Sequence, residues 1–202
     1  FVSTPKELEF FCDQREIDSM RPDDYVAKYF SDVRHEKAVG EATPIYLWNT
    51  RENTEWLLKP RGRWVDNVPE VVRDYLGPDV KIIAILRNPA ERAVSAWFHN
   101  FSKERYDCES HILEAGKQHG TLHLGFYYVH LKPWLDVFPR ENIKIYIYEE
   151  AVTEPEQVFD DIFRFLGVDP SYRPSTMRRV VYKGIERVRQ GNNFYLPNPD
   201  VP

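Results

Sequence analysis

The sequence lacks the long apolar run that a membrane-spanning helix requires. No uninterrupted apolar stretch approaches about 18 residues, so we expect no transmembrane segment within these residues. No secretory signal peptide is visible either, but the first residue is Phe1 rather than Met. We therefore expect that the whole protein has an upstream segment.

Cysteine is scarce, and positive charge is not in excess. The two cysteines, Cys12 and Cys108, show no metal-ligand spacing, so no metal site is predicted. Isolated cysteines are typical of reduced thiols in a cytoplasmic protein, although the sequence leaves a disulfide between them open. Lys and Arg number 27 against 32 Asp and Glu, and the net charge of -5 predicts no nucleic-acid partner outside a local basic patch.

The sequence does contain the composition and periodicity of one globular domain. Its 202 residues, of which 42% are hydrophobic and 29% charged, fit a single domain over residues 1–202. The predicted helices cover residues 22–31, 67–75, 89–101, 125–138 and 154–166, and the predicted strands cover residues 37–40, 81–86 and 143–148. This order predicts a three-layer α/β/α domain with a mostly parallel central sheet.

The junction between the strand at 81–86 and the following helix is the first candidate site. Arg87 stands at the carboxyl end of that strand, where open α/β sheets bind their ligands. Ser95 lies about two turns into the helix that begins near Pro89. An arginine fork and a hydroxyl suit a phosphate, and Arg92 adds positive charge near the same helix. An ordinary strand–helix unit with a surface arginine fits these residues as well.

The segment R-N-P-A-E-R-A-V-S-A-W at residues 87–97 resembles the R-[ND]-P-x-x-R-x-x-S-x-[YW] motif of PAPS-dependent sulfotransferases. The resemblance implies that Arg87 and Ser95 bind the 3′-phosphate of PAPS, 3′-phosphoadenosine 5′-phosphosulfate, which donates the sulfuryl group. It also implies the P-loop-kinase-like fold of that family.

Late in the chain, Lys183 and Gly184 resemble a basic loop that closes over the same phosphate, although a solvated basic helix fits that segment too.

The segment P-K-E-L-E-F-F at residues 5–11 resembles the K-E-x-x-F-F segment of heparan-type and bacterial carbohydrate sulfotransferases. The resemblance implies that Glu7 is the catalytic base. A carboxylate in reach of an acceptor hydroxyl can take its proton, and Lys6 could stabilise charge on the leaving phosphate or the sulfuryl group. From the residues alone, a solvated charged pair before two buried phenylalanines is the other interpretation.

The loop G-E-A-T-P-I-Y at residues 40–46 resembles a second loop of the same family. Glu41 is another candidate carboxylate, but a structural or capping role is favoured for it. Heparan-modifying relatives often carry lysine where this chain has Ala42. That difference and the net charge of -5 argue against a polyanionic substrate and favour a bacterial subfamily.

The segment at residues 124–135 resembles the G-x-Y-x-x-x-L-x-x-W-L helix of the family. The resemblance suggests Tyr127 and His130 as residues that line the substrate cleft. His123 and His130 are alternative candidates for the base, as histidine serves in cytosolic relatives. A histidine that only packs on a helix face remains the simpler interpretation of each.

One family motif is missing from the chain. The K-x-G-T turn that cradles the 5′-phosphosulfate is absent, so either it lies upstream of Phe1, as we expect, or the protein lacks it and binds PAPS poorly.

The predicted activity is metal-free transfer of a sulfuryl group from PAPS to an acceptor hydroxyl or amine, releasing 3′,5′-ADP. The acceptors considered are a carbohydrate, a lipid-linked sugar and a carrier-bound acyl chain.

Two other functions stay open at this point. A non-catalytic nucleotide-binding module would share the fold, and so would a P-loop kinase-like phosphotransferase. The kinase would need a G-x-x-x-x-G-K-[ST] motif, which the chain does not contain.

The predicted location is the cytoplasm, with the Golgi lumen as the alternative. The triplet Asn100-Phe101-Ser102 matches the N-glycosylation pattern, which is common by chance.

Overall fold

The computed structural model describes residues 2–3, 5–48, 65–106, 109–175 and 177. The helices are α1 (Gln14–Ser19), α2 (Pro22–Tyr29), α3 (Val68–Leu76), α4 (Pro89–Ser102), α5 (Ile112–Ala115), α6 (Tyr127–Val137), α7 (Tyr148–Thr153) and α8 (Pro155–Leu166). The strands are β1 (Ile82–Leu86) and β2 (Ile143–Ile147). Short 3₁₀ helices cover Phe10–Cys12, Pro44–Leu47, His123–Gly125 and Arg140–Asn142.

The longer predicted helices all form, with ends shifted by at most two residues. The strand predicted at residues 37–40 was wrong. Only a single parallel bridge joins Val2 to Gly40, and the Ser3 N–H donates to the Gly40 carbonyl at 3.0 Å. Val39 is 46% exposed, so this segment buries no apolar face that would stabilise a longer strand. The helix α7 was also missed, because residue 148 was assigned to the preceding strand.

The two strands run parallel and in a register that brings their carboxyl ends together. Ile82 pairs with Ile143, and Leu86 pairs with Ile147. The residue after β1 is Arg87, and β2 is followed at once by α7, so these two connections lie side by side. In a parallel sheet this edge is where ligands bind.

The main core lies where the N-terminal segment, α3 and α6 meet the sheet. Phe10 and Phe11 are fully enclosed there, together with Trp134 and Ile143. Burying a side chain of this kind stabilises the fold by about 2 to 3 kcal/mol. The two phenylalanines of the K-E-x-x-F-F segment therefore anchor the charged residues that precede them.

A second contact joins the C-terminal half of α4 to the loop at residues 116–122. Asn100 is buried, and its Nδ2 donates to Thr121 Oγ1 at 2.9 Å. Arg105 Nη1 donates to Asn100 Oδ1 at 2.9 Å, so both ends of the amide have partners. Tyr106 lies 2.8 Å from the same Thr121 hydroxyl. This polar cluster fixes the loop against α4.

Candidate functional site

The turn between β1 and α4 is held by side chains from two other elements. The Tyr127 hydroxyl, at the start of α6, donates to the Arg87 carbonyl at 2.7 Å and accepts from the Arg87 N–H at 3.3 Å. From the start of α7, Glu149 Oε1 accepts from the Asn88 N–H at 3.0 Å. The backbone on both sides of the Arg87–Asn88 peptide bond is therefore fixed by elements distant in sequence.

Helix α4 begins with a side-chain cap. Asn88 Oδ1 accepts from the N–H groups of Ala90 and Glu91 at 3.0 and 3.2 Å. Pro89 occupies the first turn, where its missing N–H costs no hydrogen bond. The R-N-P sequence thus ends β1 and starts α4 within two residues, and it places Arg87 beside the positive end of a 14-residue helix.

The Arg87 guanidinium pairs with exposed, replaceable carboxylates. Its Nη2 lies 3.2 Å from Glu91 Oε2 and its Nε lies 4.0 Å from Glu149 Oε1, and both carboxylates are exposed. Within the part of the chain that the structure describes, its Nε makes no hydrogen bond, and the Tyr148 ring centroid is 5.3 Å from its Cζ. The side chain is 33% exposed. Exposed ion pairs contribute at most about 1 kcal/mol, so an incoming anion could displace these carboxylates.

Ser95 lies on the face of α4 that Arg87 approaches. Glu91 and Ser95 are four residues apart, so they share one face of the helix. Because Glu91 pairs with Arg87, the guanidinium lies over this face. Ser95 is half-buried, and among the described residues no side chain or carbonyl from outside its helix hydrogen-bonds its hydroxyl. One arginine and one hydroxyl are therefore available on the same surface.

Arg92 joins α4 to a neighbouring loop. Its Nη2 donates to the Thr121 carbonyl and lies 3.4 Å from the Gly120 carbonyl. Burial lowers the pKa of its guanidinium. This side chain therefore ties α4 to the loop at residues 116–122, and the charge that it was predicted to add near this helix stays a prediction.

The Lys6–Glu7 pair is exposed on an anchored segment. Ser3 Oγ donates to the Pro5 carbonyl at 3.0 Å, and the Leu8 N–H donates to Thr43 Oγ1 at 3.1 Å. Neither charged side chain of the pair has a hydrogen-bond or ion-pair partner in the part of the chain that the structure describes. The backbone is thus held on both sides while the carboxylate of Glu7 faces solvent.

Glu41 is engaged by three hydroxyl groups. Tyr25 donates to Oε1 at 2.9 Å, Thr43 donates to Oε2 at 2.9 Å, and Tyr46 lies 3.0 Å from Oε1. Burial and the nearby Glu41 carboxylate raise the pKa of both tyrosines. The Tyr46 hydroxyl also accepts from the Phe11 N–H at 3.3 Å. These contacts support the structural role that was favoured for Glu41.

His123 and His130 form an enclosed pair. They are 2% and 0% exposed, their ring centroids are 4.8 Å apart, and His130 Nε2 lies 3.0 Å from the His123 carbonyl. Burial, with a smaller contribution from His130, lowers the pKa of His123 to about 4. In this conformation an acceptor cannot reach either ring. The structure thus gives both histidines a packing role, and a substrate contact by His130 stays a prediction.

The remaining predicted site residues are placed as follows. The Tyr127 hydroxyl contacts Arg87, and Lys183 and Gly184 lie outside the described residues. Sequence reasoning gave no site role to Glu149. The signal that could have found it is its position just after a strand parallel to β1, because the ends of paired strands converge.

Three further observations concern metals, thiols and membranes. No group of three or more His, Cys, Asp or Glu side chains in the described ranges is placed to hold a metal ion. Cys12 is a buried free thiol, and burial raises its pKa to about 12, while Cys108 lies outside the described residues. Among the helices that the structure describes, none has the length and apolar character to cross a bilayer.

The fold and the site together define an α/β protein whose parallel strands end at a clamped turn with an accessible arginine. Such a turn is a suitable place for an anionic group. In a comparison with protein families, residues 66–193 match the family described as the sulfotransferase domain. The chain therefore belongs to the sulfotransferase domain family.

Individual relatives agree with this assignment. The chain is 32% identical over 114 residues to the bifunctional heparan sulfate N-deacetylase/N-sulfotransferase 4 of Mus musculus, covering 50% of this chain and 13% of that protein. It is 23% identical over 131 residues to the 3-beta-hydroxysteroid sulfotransferase of Cavia porcellus, covering 62% of this chain and 45% of that protein. The chain thus spans less than half the length of these curated relatives.

A solved structure extends the comparison to the fold. The crystal structure of a sulfotransferase from Alicyclobacillus acidocaldarius matches with a TM-score of 0.64 and 28% sequence identity, covering 87% of this chain and 74% of that chain. The α/β fold predicted from the sequence is thereby confirmed, although the sheet of the described residues has two strands.

Proposed function

We propose that this protein is a PAPS-dependent sulfotransferase. The observation that carries the proposal is the Arg87 guanidinium, which lies beyond the carboxyl end of β1 and whose ion-pair partners among the described residues are two exposed carboxylates. Its backbone is fixed by Tyr127 and Glu149, and Ser95 presents a hydroxyl on the same face of α4. This arrangement supports a phosphate site, and family membership makes the sulfuryl donor the natural ligand.

The proposed donor contacts divide into two groups. Arg87 and Ser95 bind the 3′-phosphate of PAPS through charge-assisted and hydroxyl hydrogen bonds. Lys183 and Gly184 close over the same phosphate, and this contact rests on the sequence resemblance alone. The chain contains no K-x-G-T turn, and no contact with the 5′-phosphosulfate is assigned to its residues.

The proposed chemistry is in-line displacement at sulfur. Glu7 takes the proton of the acceptor hydroxyl or amine while the acceptor atom forms a bond to sulfur. The bond between sulfur and the phosphate oxygen breaks, and 3′,5′-ADP leaves with that electron pair. Lys6 stabilises the charge that develops on the leaving phosphate or the sulfuryl group. The carboxylate of Glu7 is exposed and has no partner among the residues that the structure describes, which supports this role.

The proposed acceptor is a carbohydrate hydroxyl or amine. The relative from Mus musculus is named for heparan sulfate and the one from Cavia porcellus for a hydroxysteroid, so the family spans both classes. Ala42 in place of a lysine and the net charge of -5 favour an acceptor that is not a polyanion. A lipid-linked sugar or a carrier-bound acyl chain would also satisfy this chemistry. We propose the cytoplasm as the location, with the Golgi lumen as the alternative.

Calorimetric titration with 3′,5′-ADP, ADP and ATP tests the donor assignment. We expect 3′,5′-ADP to bind most tightly, and we expect Arg87→Ala to weaken its binding by about 10- to 100-fold because charge-assisted hydrogen bonds are lost. Ser95→Ala should weaken it by about fivefold. Arg21→Ala is a matched control, because Arg21 also forms an exposed pair, with Asp24 at 3.2 Å.

Each other outcome points to a different class of protein. A preference for ATP would favour the kinase-like phosphotransferase. Tight binding of 3′,5′-ADP without sulfuryl transfer to any acceptor would favour the non-catalytic module. Unchanged affinity of Arg87→Ala for 3′,5′-ADP would remove the basis of the site.

A further inference from the structure

The Tyr127 hydroxyl reaches both main-chain polar groups of one residue. It donates to the Arg87 carbonyl at 2.7 Å and accepts from the Arg87 N–H at 3.3 Å. The last paired residue of β1 is Leu86, opposite Ile147. The hydroxyl therefore extends the fixed backbone one residue beyond the paired part of the strand. A tyrosine hydroxyl has a single proton to donate, and here the Arg87 carbonyl receives it.

A close approach between two segments makes this contact possible. A Cβ added to Gly125 would lie 3.3 Å from the Cβ of Pro89, which is closer than comfortable packing allows. Glycine at this position lets the start of α6 lie against the first turn of α4. Tyr127 follows two residues later and reaches back to Arg87. The G-x-Y pattern thus has a geometric reason in this chain.

Glu149 holds the other side of the same turn. Its Oε1 accepts from the Asn88 N–H at 3.0 Å and lies 4.0 Å from Arg87 Nε. With Tyr127 on Arg87 and Glu149 on Asn88, the turn is held from α6 and from α7. A binding group that is already fixed loses less conformational freedom when its ligand arrives, so its ligand binds more tightly.

We propose that Tyr127 is a positioning residue for the donor site, acting through the main chain of Arg87. Its hydroxyl fixes the base of the arginine side chain, and the guanidinium is thereby directed toward the 3′-phosphate. The proposal rests on the proposed function. This role is separate from the sequence-based expectation that Tyr127 lines the acceptor cleft, which stays a prediction.

The test compares two nucleotides that differ only in the 3′-phosphate. In calorimetry, Tyr127→Phe should weaken binding of 3′,5′-ADP by about tenfold, because Arg87 is no longer held in place before the nucleotide arrives. It should leave 5′-AMP affinity unchanged, because that nucleotide lacks the phosphate that Arg87 binds. Tyr128→Phe is the matched control: its ring is 76% exposed on the next residue, and both affinities should stay the same.

A measurement without nucleotide tests the role of Tyr127 independently of which donor the protein binds. Amide hydrogen exchange followed by NMR should show faster exchange of the Arg87 N–H in Tyr127→Phe than in the parent protein or in Tyr128→Phe. Unchanged exchange, or an equal loss of affinity for both nucleotides, would overturn the positioning role. If the parent protein binds no 3′,5′-ADP but Arg87 exchange rises in the variant, the proposed donor is wrong while Tyr127 still positions the turn.

Discussion

Two regions of this protein each carry a pair of like-charged residues, and the members of each pair have opposite surroundings. In the N-terminal region, Glu7 faces solvent while Glu41 is engaged by three hydroxyls. In the region after β1, Arg87 pairs with two exposed carboxylates while the half-buried Arg92 donates to a main-chain carbonyl and lies 3.4 Å from another. One member of each pair holds the fold, and the other is available to a ligand.

The difference shows that side chains of the same charge can have either fixed hydroxyl and carbonyl partners or exposed surroundings. Removing a group that satisfies fixed, buried partners leaves those partners without hydrogen bonds, which costs about 1 to 3 kcal/mol for each. Removing a group with exposed and mobile partners costs little. We therefore expect that, within each pair, mutation of one residue lowers the free energy of unfolding while mutation of the other lowers activity or nucleotide affinity.

The largest effect is expected at Glu7. Glu7→Gln should lower the turnover number by about 10²-fold or more, because the amide cannot accept the acceptor proton. Stability and 3′,5′-ADP affinity should not change, since the side chain has no partner in the described residues. Turnover is measured as the rate of 3′,5′-ADP release. The free energy of unfolding is measured by urea titration.

Glu41→Gln is the matched control for Glu7→Gln. It should lower the free energy of unfolding by about 1 to 3 kcal/mol, because an amide cannot satisfy three donated hydroxyls equally well. If Glu7→Gln kept full turnover while Glu41→Gln lost it in a folded protein, the assignment of the two carboxylates would be reversed.

The second expected effect is a difference in the free energy of unfolding between variants of the two arginines. Arg92→Ala should lower the free energy of unfolding by about 1 to 2 kcal/mol, because the carbonyls of Gly120 and Thr121 lose a charged, half-buried donor. Arg87→Ala should change it by less than about 0.5 kcal/mol, since its ion pairs are exposed. Urea titration measures both, and equal losses in the two variants would contradict the comparison.

The smallest effect concerns acid stability. The pKa of His123 falls from its ordinary value of 6.5 to about 4 in the folded protein. Between these values the unfolded chain binds a proton that the folded protein does not, so stability decreases as the pH falls. We expect a loss of about 1 to 2 kcal/mol between pH 7 and pH 5.

His123→Phe tests the origin of this pH dependence. In the described ranges neither ring nitrogen of His123 has a hydrogen-bond partner, so a phenyl ring can replace the imidazole without leaving a donor or acceptor of those residues unsatisfied. The variant should lose the acid-dependent part of the change in urea titrations at the two pH values. A parent-like pH dependence in His123→Phe would assign the effect to another group.

The sequence predicted the strand–helix junction well because its signals are local. An apolar strand, Arg87 at its end and a helix that begins at Pro89 follow one another within nine residues of chain, and all three form as expected. The strand at residues 37–40 was wrong because pairing depends on a partner that local patterns do not reveal.

The contacts that hold the turn at Arg87 and Asn88 could not be predicted from local sequence signals. The Tyr127 contact spans 40 residues, and the Glu149 contact with Asn88 spans 61. They depend on the register between β1 and β2 and on how α6 packs, which no single segment encodes. The opposite surroundings of Arg87 and Arg92 likewise follow from the position of the loop at residues 116–122.

The buried amide of Asn100 has a practical consequence for producing this protein. Its nitrogen, the atom to which an N-linked glycan would be attached, already donates to Thr121 within the contact between α4 and its neighbouring loop. An oligosaccharide attached there during synthesis would keep that loop away from the helix. Production in a secretory host should therefore yield misfolded material unless Ser102→Ala removes the acceptor triplet, whereas a bacterial host avoids the problem.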